Sequence, residues 1–216
     1  MKTRRRTQSR PAITFGKSLG IEQLTGLAAE LQKVRHHPPL TQRQDGKYEG
    51  DILGFVKGLR LSARVIYFLR ERLSGTELEV SWGHLLDGND QSCSPECDVI
   101  IHSKGHTREW NGHSSPIMNF KFIEATRVKA IVSCKSRLNT IDTVYPRDLK
   151  RFGVNNIFLF AECCLEGRFK ALRKKARQAG YKGLWCLYFT QDEESGFKTD
   201  ESMYVKFGEA ILDKVK

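Results

Sequence analysis

Four short apolar runs punctuate the chain from residue 99 onward: Val99-Ile-Ile101, Ala130-Ile-Val132, Ile157-Phe-Leu-Phe-Ala161 and Leu184-Trp-Cys-Leu-Tyr-Phe189. Each is too short for a buried helix and rich in β-branched or aromatic residues, so each reads as a strand. Segments of helical period fall between the later ones. Pro146 to Phe152 suits a short helix, and residues 165–179 a longer one that Gly180 ends. Strands and helices in that alternation predict an α/β fold, a central mixed β-sheet flanked by helices.

The second run carries a puzzle. Its strand, residues 128–135, stops being apolar at Ser133-Cys134-Lys135. Lysine is rarely fully buried unless paired. Either the strand ends there and Lys135 reaches water, or Lys135 points into a site that needs a fixed positive charge.

The first half is more helical. Ile21, Leu24, Leu27, Ala28, Leu31 and Val34 have helical spacing up to the break at Pro38-Pro39. Residues 51–73 repeat it with Leu61, Val65, Phe68, Leu69 and Leu73. Then Leu78, Val80 and Trp82 alternate with polar residues, a strand period, and Asp87-Gly88 is a hairpin signal. Residues 103–118 and the acidic 191–201 read as loops, and the tail as a strand at 203–206 and a helix at 208–215. The organisation expected is a basic disordered arm over 1–12, a helical region and loop over 13–57, and a main domain over 58–216.

Thirty-six Lys and Arg against 25 Asp and Glu leave a net charge of +11. That excess favours a polyanionic partner, most simply nucleic acid. Arg168, Lys170, Arg173, Lys174, Lys175 and Arg177 concentrate it on the 165–179 helix, either as a phosphate-tracking surface or as a solvated face. No run approaches the ~18 apolar residues of a membrane span. The basic start has no apolar stretch behind it, as a signal peptide would. Six cysteines in a chain of this length are no disulfide scaffold, so a reducing cytoplasm is the expected location.

Side chains two apart on a strand share a face, so Ser133 and Lys135 point together and Cys134 points away. Asp98 opens the preceding apolar strand. If the two strands are neighbours, Asp98, Ser133 and Lys135 converge at one edge of the sheet. Those parts suit metal-assisted hydrolysis. Asp98 would hold Mg²⁺, or Mn²⁺, through oxygen. The metal would activate water, and Lys135 would position it and steady the developing charge.

This arrangement resembles the PD-(D/E)XK nuclease superfamily. The resemblance covers roughly residues 58–190. It rests on the hairpin, Ser94-Pro-Glu-Cys-Asp98-Val-Ile-Ile101 and the strand ending Ser133-Cys134-Lys135. It is similar to a bacterial branch whose pattern runs Ser-x-Gln-x-Asp and then Glu-Val-Lys-Ser. The resemblance implies a restriction-endonuclease-like fold and Mg²⁺-dependent cleavage of double-stranded DNA, in restriction or defence. By analogy, a homodimer would cut both strands.

Two positions depart from the pattern: Ser133 stands where the family has Glu, and Glu96 where it has Gln. Some type II restriction endonucleases of the superfamily also carry Ser-x-Lys and supply the acid from a helix about 13 residues on. Here Asp148 lies at that spacing and Asp142 lies nearer. Asp148 is the preferred second metal ligand and Asp142 the alternate. The competing expectation is a non-catalytic nucleic-acid-binding protein on the same fold. A rival metal set, Cys93, Cys97, His102 and His106, has the residue types of a structural zinc site, but the strand between would spread the four apart.

Overall fold

The computed structural model describes residues 50–88, 92–105, 108–109, 120–191 and 198–215. The expected basic arm, the helical spacing of Ile21 to Val34 and most of the expected loop at 103–118 lie outside them. In chain order the elements are α1 (Gly50–Arg72), β1 (Leu78–Leu86), β2 (Cys97–Ser103), β3 (Arg108–Glu109), β4 (Phe120–Glu124) and β5 (Val128–Leu138). Then come α2 (Val144–Arg151), β6 (Ile157–Leu165), α3 (Glu166–Ala179), β7 (Leu184–Thr190), β8 (Lys198–Thr199) and α4 (Glu201–Val215).

Among the described residues the strands form one sheet in the order β3-β4-β1-β2-β5-β6-β7-β8. The hairpin expectation holds in its pairing, because β1 and β2 are antiparallel. β2 is antiparallel to β5, whereas β5, β6 and β7 run parallel. The sheet is therefore mixed, as expected.

Two helical layers cover it. Leu61, Val65, Phe68 and Leu69 of α1 and Phe207 and Ile211 of α4 pack on Val99, Val132, Phe158 and Phe160. Leu149 of α2 and Leu172 and Ala176 of α3 pack on Ile100, Ile131, Ile157 and Leu159 of the opposite face. Burial on both faces explains the continuous apolar runs of the parallel strands. Arg70 fastens α1 to the sheet by donating to the Val80 carbonyl at 3.0 and 2.9 Å.

Two-residue strands at Arg108–Glu109 and Lys198–Thr199 fall within expected loops, and three larger expectations need correction. β5 runs on to Leu138, so Lys135 sits within the strand and not at its end. A strand at 120–124 was missed. β4 lies parallel to β1, reaching it through a long connection that no local pattern announces. The approach is so close that a Cβ on Gly83, at φ +150°, would meet the Lys121 carbonyl oxygen at 1.8 Å. Glycine is required there. Finally, the tail is one helix, not a strand followed by a helix. Tyr204, Phe207 and Ile211 share one stripe, and the Tyr204 and Phe207 rings pack against those of Phe68 and Phe160, so packing overrides the strand-like Tyr204-Val205.

Candidate active site

β2 begins at Cys97, and its pairing with β5 runs from Val128 to Val132. β5 continues alongside β6 as far as Leu138. The sheet is thereby notched beside the last part of β5, and Asp98 stands at the notch. Its register places it opposite Ser133, on the face that carries Ile100 and Ile131. Asp98, Ser133 and Lys135 are thus brought together on one face, as the two-residue period implied.

Local structure fixes the Asp98 carboxylate. Ser94 latches the start of β2 to β1: its backbone N–H donates to the Leu85 carbonyl at 2.9 Å, and its hydroxyl accepts the Leu85 N–H at 2.8 Å. From Ser81 opposite Ile100 to Gly83 opposite Cys97, two steps on β1 meet three on β2. The extra residue is a bulge beside Asp98, a device that re-aims a side chain. The Cys134 N–H donates to Asp98 Oδ2 at 2.8 Å, and the Ser133 hydroxyl lies 3.5 Å from the same oxygen.

Burial raises the Asp98 pKa, the Cys134 N–H and the Lys135 ammonium oppose that rise, and Glu96 adds to it. A desolvated carboxylate held beside an ammonium is a poised group. Lys135 itself is half-buried, while Ser133 is only 2% exposed. Glu96 accepts a 2.6 Å hydrogen bond from Trp82 Nε1.

The two candidate second acids part company. Asp148, the preferred one, turns to Arg147 at 3.6 Å and Arg151 at 3.7 Å. Asp142 accepts the N–H groups of Val144 and Tyr145 at 2.8 and 3.1 Å, capping the start of α2. Its charge, with that of Asp98, is felt at the buried Tyr181 hydroxyl, whose pKa burial raises. Asp148 stands on α2, which packs on the same sheet face as Asp98, and its buried Oδ1 has no hydrogen-bond partner among the described residues. Neither completes a metal cage: among the described residues no three His, Cys, Asp or Glu side chains form one.

That donor set still fits Mg²⁺, which keeps several waters and is often held by one or two carboxylates plus substrate phosphates. The Tyr181 hydroxyl, buried with no hydrogen-bond partner among the described residues, marks unmet polar capacity beside the same carboxylate. The zinc alternative fares worse. Cys97 and His102 lie about 16 Å apart along an extended strand. Cys97 is buried toward Tyr145, with its thiol pushed up to about 12 by desolvation, and Cys93 is exposed. His106 is outside the described residues.

Sequence reasoning missed Tyr145 and Tyr181, aromatic residues with no motif around them. It also passed over Glu162 on β6, which is 1% exposed and 3.5 Å from Arg60 of α1 on the opposite face. Cys163 is half-exposed, whereas its neighbour Cys164 is buried. Arg168, Lys170, Arg173, Lys174, Lys175 and Arg177 are all exposed on α3, which packs by Leu172 and Ala176 on the sheet face that bears Asp98.

No family model and no curated protein matches the sequence. Among solved structures, the chain is similar to NucC of E. coli MS115-1 in its cAAA-bound form. The TM-score is 0.55 at 11% identity, covering 97% of this chain and 93% of that one. It is similar also to cAAA-bound NucC of P. aeruginosa ATCC27853, with a TM-score of 0.51 at 13% identity, over 89% and 90% of the two chains. The chain shares the mixed α/β fold of these structures. At these identities the likeness concerns the fold and not the residues of the site. The described residues contain no helix long and apolar enough to cross a membrane.

Proposed function

We propose that the chain is a Mg²⁺-dependent DNA endonuclease of restriction or defence type. The observation that carries this reading is the notch itself, where a desolvated Asp98 meets Ser133 and Lys135 on neighbouring strands of a nuclease-like sheet. Asp98 would hold Mg²⁺ through a carboxylate oxygen, with Asp148 or Asp142 as the second acid. The ion, when bound, supplies an acidified water and offsets phosphodiester charge. Lys135 orients the attacking water and steadies the charge that develops on the phosphate. The exposed cations of α3 bind the DNA backbone and set its path across the sheet face.

One observation favours a second reading, a nucleic-acid-binding protein without catalysis. The family's glutamate position is a buried serine, and the described residues form no three-acid group. Plasmid cleavage separates the two. Wild type is incubated with Mg²⁺ or Mn²⁺ beside Asp98→Ala and Lys135→Ala. Because the similar NucC structures hold cAAA, each assay is run with and without it. Cutting that both variants lose is the expected result. Salt-sensitive DNA binding with no cutting under any condition would make the protein a binding module.

A further inference from the structure

Where β5 ends, a groove of about 560 Å³ opens between the segment that leads into α2 and the exposed side of α3. Its apolar lining is Ile141, Leu172 and Ala179, which belong to the same layer as Ile131 beneath Asp98 and Ser133. Its polar lining includes Asn139, Lys175 and Gln178, all exposed, and no acid among the described residues. Asn139 lies four residues beyond Lys135, about 13 Å at the rise of an extended strand. The groove therefore lies on the sheet face that carries Asp98, against the α3 helix that bears the exposed cations.

An apolar floor, amide groups that both donate and accept, and one cation at the rim are what a nucleotide requires. The base lies on the floor, its edge meets an amide, and its phosphate meets the ammonium. A volume of this size admits one nucleotide with its sugar. We infer that this groove is a nucleotide-binding subsite, which takes a single unstacked nucleotide a few positions from the scissile phosphate. The inference deepens the nuclease reading and rests on it for the identity of the strand. A nucleotide in the groove would fix the register of the strand at Lys135 and impose a base preference on cutting. The same chemistry has two sources, a nucleotide within a strand and a free mononucleotide.

The test measures binding apart from cutting. Full-length protein in EDTA is titrated against a labelled single-stranded oligonucleotide and its duplex by fluorescence anisotropy. Gln178→Ala removes the amide from an exposed position without disturbing packing, and Ala179→Phe fills the groove. Arg168→Ala, on the same helix outside the groove, serves as the backbone-contact control. Each groove variant should weaken oligonucleotide binding by about tenfold, with the salt dependence unchanged. Arg168→Ala should instead lower the slope of log Kd against log salt by about 0.7–0.9.

Displacement of the oligonucleotide by a free mononucleotide assigns the groove to a soluble nucleotide. Loss of affinity in the variants without such displacement assigns it to the strand. Wild-type affinity in both groove variants overturns the proposal, as does a wild type that binds neither probe. Cutting is scored separately with Mg²⁺. Groove-dependent binding without cutting refutes the nuclease and leaves the subsite, whereas cutting with unaffected groove variants does the reverse.

Discussion

Asp98 and His102 stand four residues apart on β2, one near each end, and each is paired to a serine on a neighbouring strand. At His102 the polar groups are closed on one another. Its Nδ1 lies 3.0 Å from the Ser103 carbonyl, which can only accept, so Nδ1 carries the proton. In the neutral ring Nε2 then accepts from the Ser81 hydroxyl at 2.7 Å. Both residues are 0% exposed, and Lys121 and Glu79 pair nearby at 3.4 Å. At Asp98 the matching serine is 3.5 Å away, the carboxylate is partly open, and burial works against its charge. The first cluster is a completed buried network, which stabilises. The second is unfinished, and a ligand would complete it. A Ser–His pair is commonly a nucleophile and its base, yet here it is sealed from any substrate, whereas the less familiar Asp–Ser–Lys group faces a notch.

The largest effects should break this comparison cleanly. Asp98→Asn should abolish metal-dependent cutting while raising the thermal midpoint, because it removes a charge that folding desolvates. His102→Ala should do the opposite. It leaves a cavity and an unpartnered Ser81 hydroxyl, costing about 3 kcal/mol of stability by denaturant titration, and it leaves the chemistry at the notch intact in the protein that remains folded. If Asp98→Asn unfolds the protein, Asp98 is a structural carboxylate and the contrast fails.

Acid should separate the two ends next. Burial lowers the His102 pKa from about 6.5. Above that pH neither state is protonated. Below it the unfolded chain takes up the proton first, so stability falls until the folded ring titrates as well. For Asp98 the sign reverses. Its folded pKa is raised, so the cost of burying the charge is present at neutral pH. That cost is relieved as pH falls through the folded value toward the unfolded one near 3.9. Thermal midpoints measured from about pH 8 down to about pH 4 should therefore show a penalty that sets in as pH falls below about 6.5 and that His102→Gln abolishes. The advantage of Asp98→Asn over wild type should shrink at the acid end.

How much of this was legible depends on how local the cause is. The grouping of Asp98, Ser133 and Lys135 follows from a two-residue period and one antiparallel neighbour, so the sequence was enough for it. So too for α3, whose Leu172 and Ala176 lie four apart and whose stop is Gly180 at φ +106°. β4 was not legible, because it owes its existence to a parallel partner some 40 residues earlier and to a missing Cβ at Gly83. The surroundings of Asp142 and Asp148 were not legible either. Counting from Lys135 cannot show that β5 runs three residues further, that Asp142 then caps α2, or that Arg147 and Arg151 lie beside Asp148. Tyr181 reached the site through the return from α3 to β7, a tertiary event with no local pattern.

The two serines offer the finest version of the comparison. Both are buried hydroxyls on β1 or β5, 0% and 2% exposed, and both face a titratable group on β2. At 2.7 Å, Ser81 makes a well-formed bond that fixes the tautomer of His102. Ser133, at 3.5 Å, sits at the limit of a hydrogen bond, and the Cys134 N–H holds the same carboxylate oxygen at 2.8 Å regardless. Ser81→Ala should therefore cost about 1–2 kcal/mol, because it strands an imidazole nitrogen in a sealed interior. Ser133→Ala should cost about 0.5 kcal/mol or less, and any change it makes in cutting should be read as a change in how Asp98 is held. Denaturant midpoints at constant m-value measure both. Equal losses at the two serines would mean that the notch is as closed as the His102 cluster, and that Asp98 is held too firmly by the protein to turn to a metal.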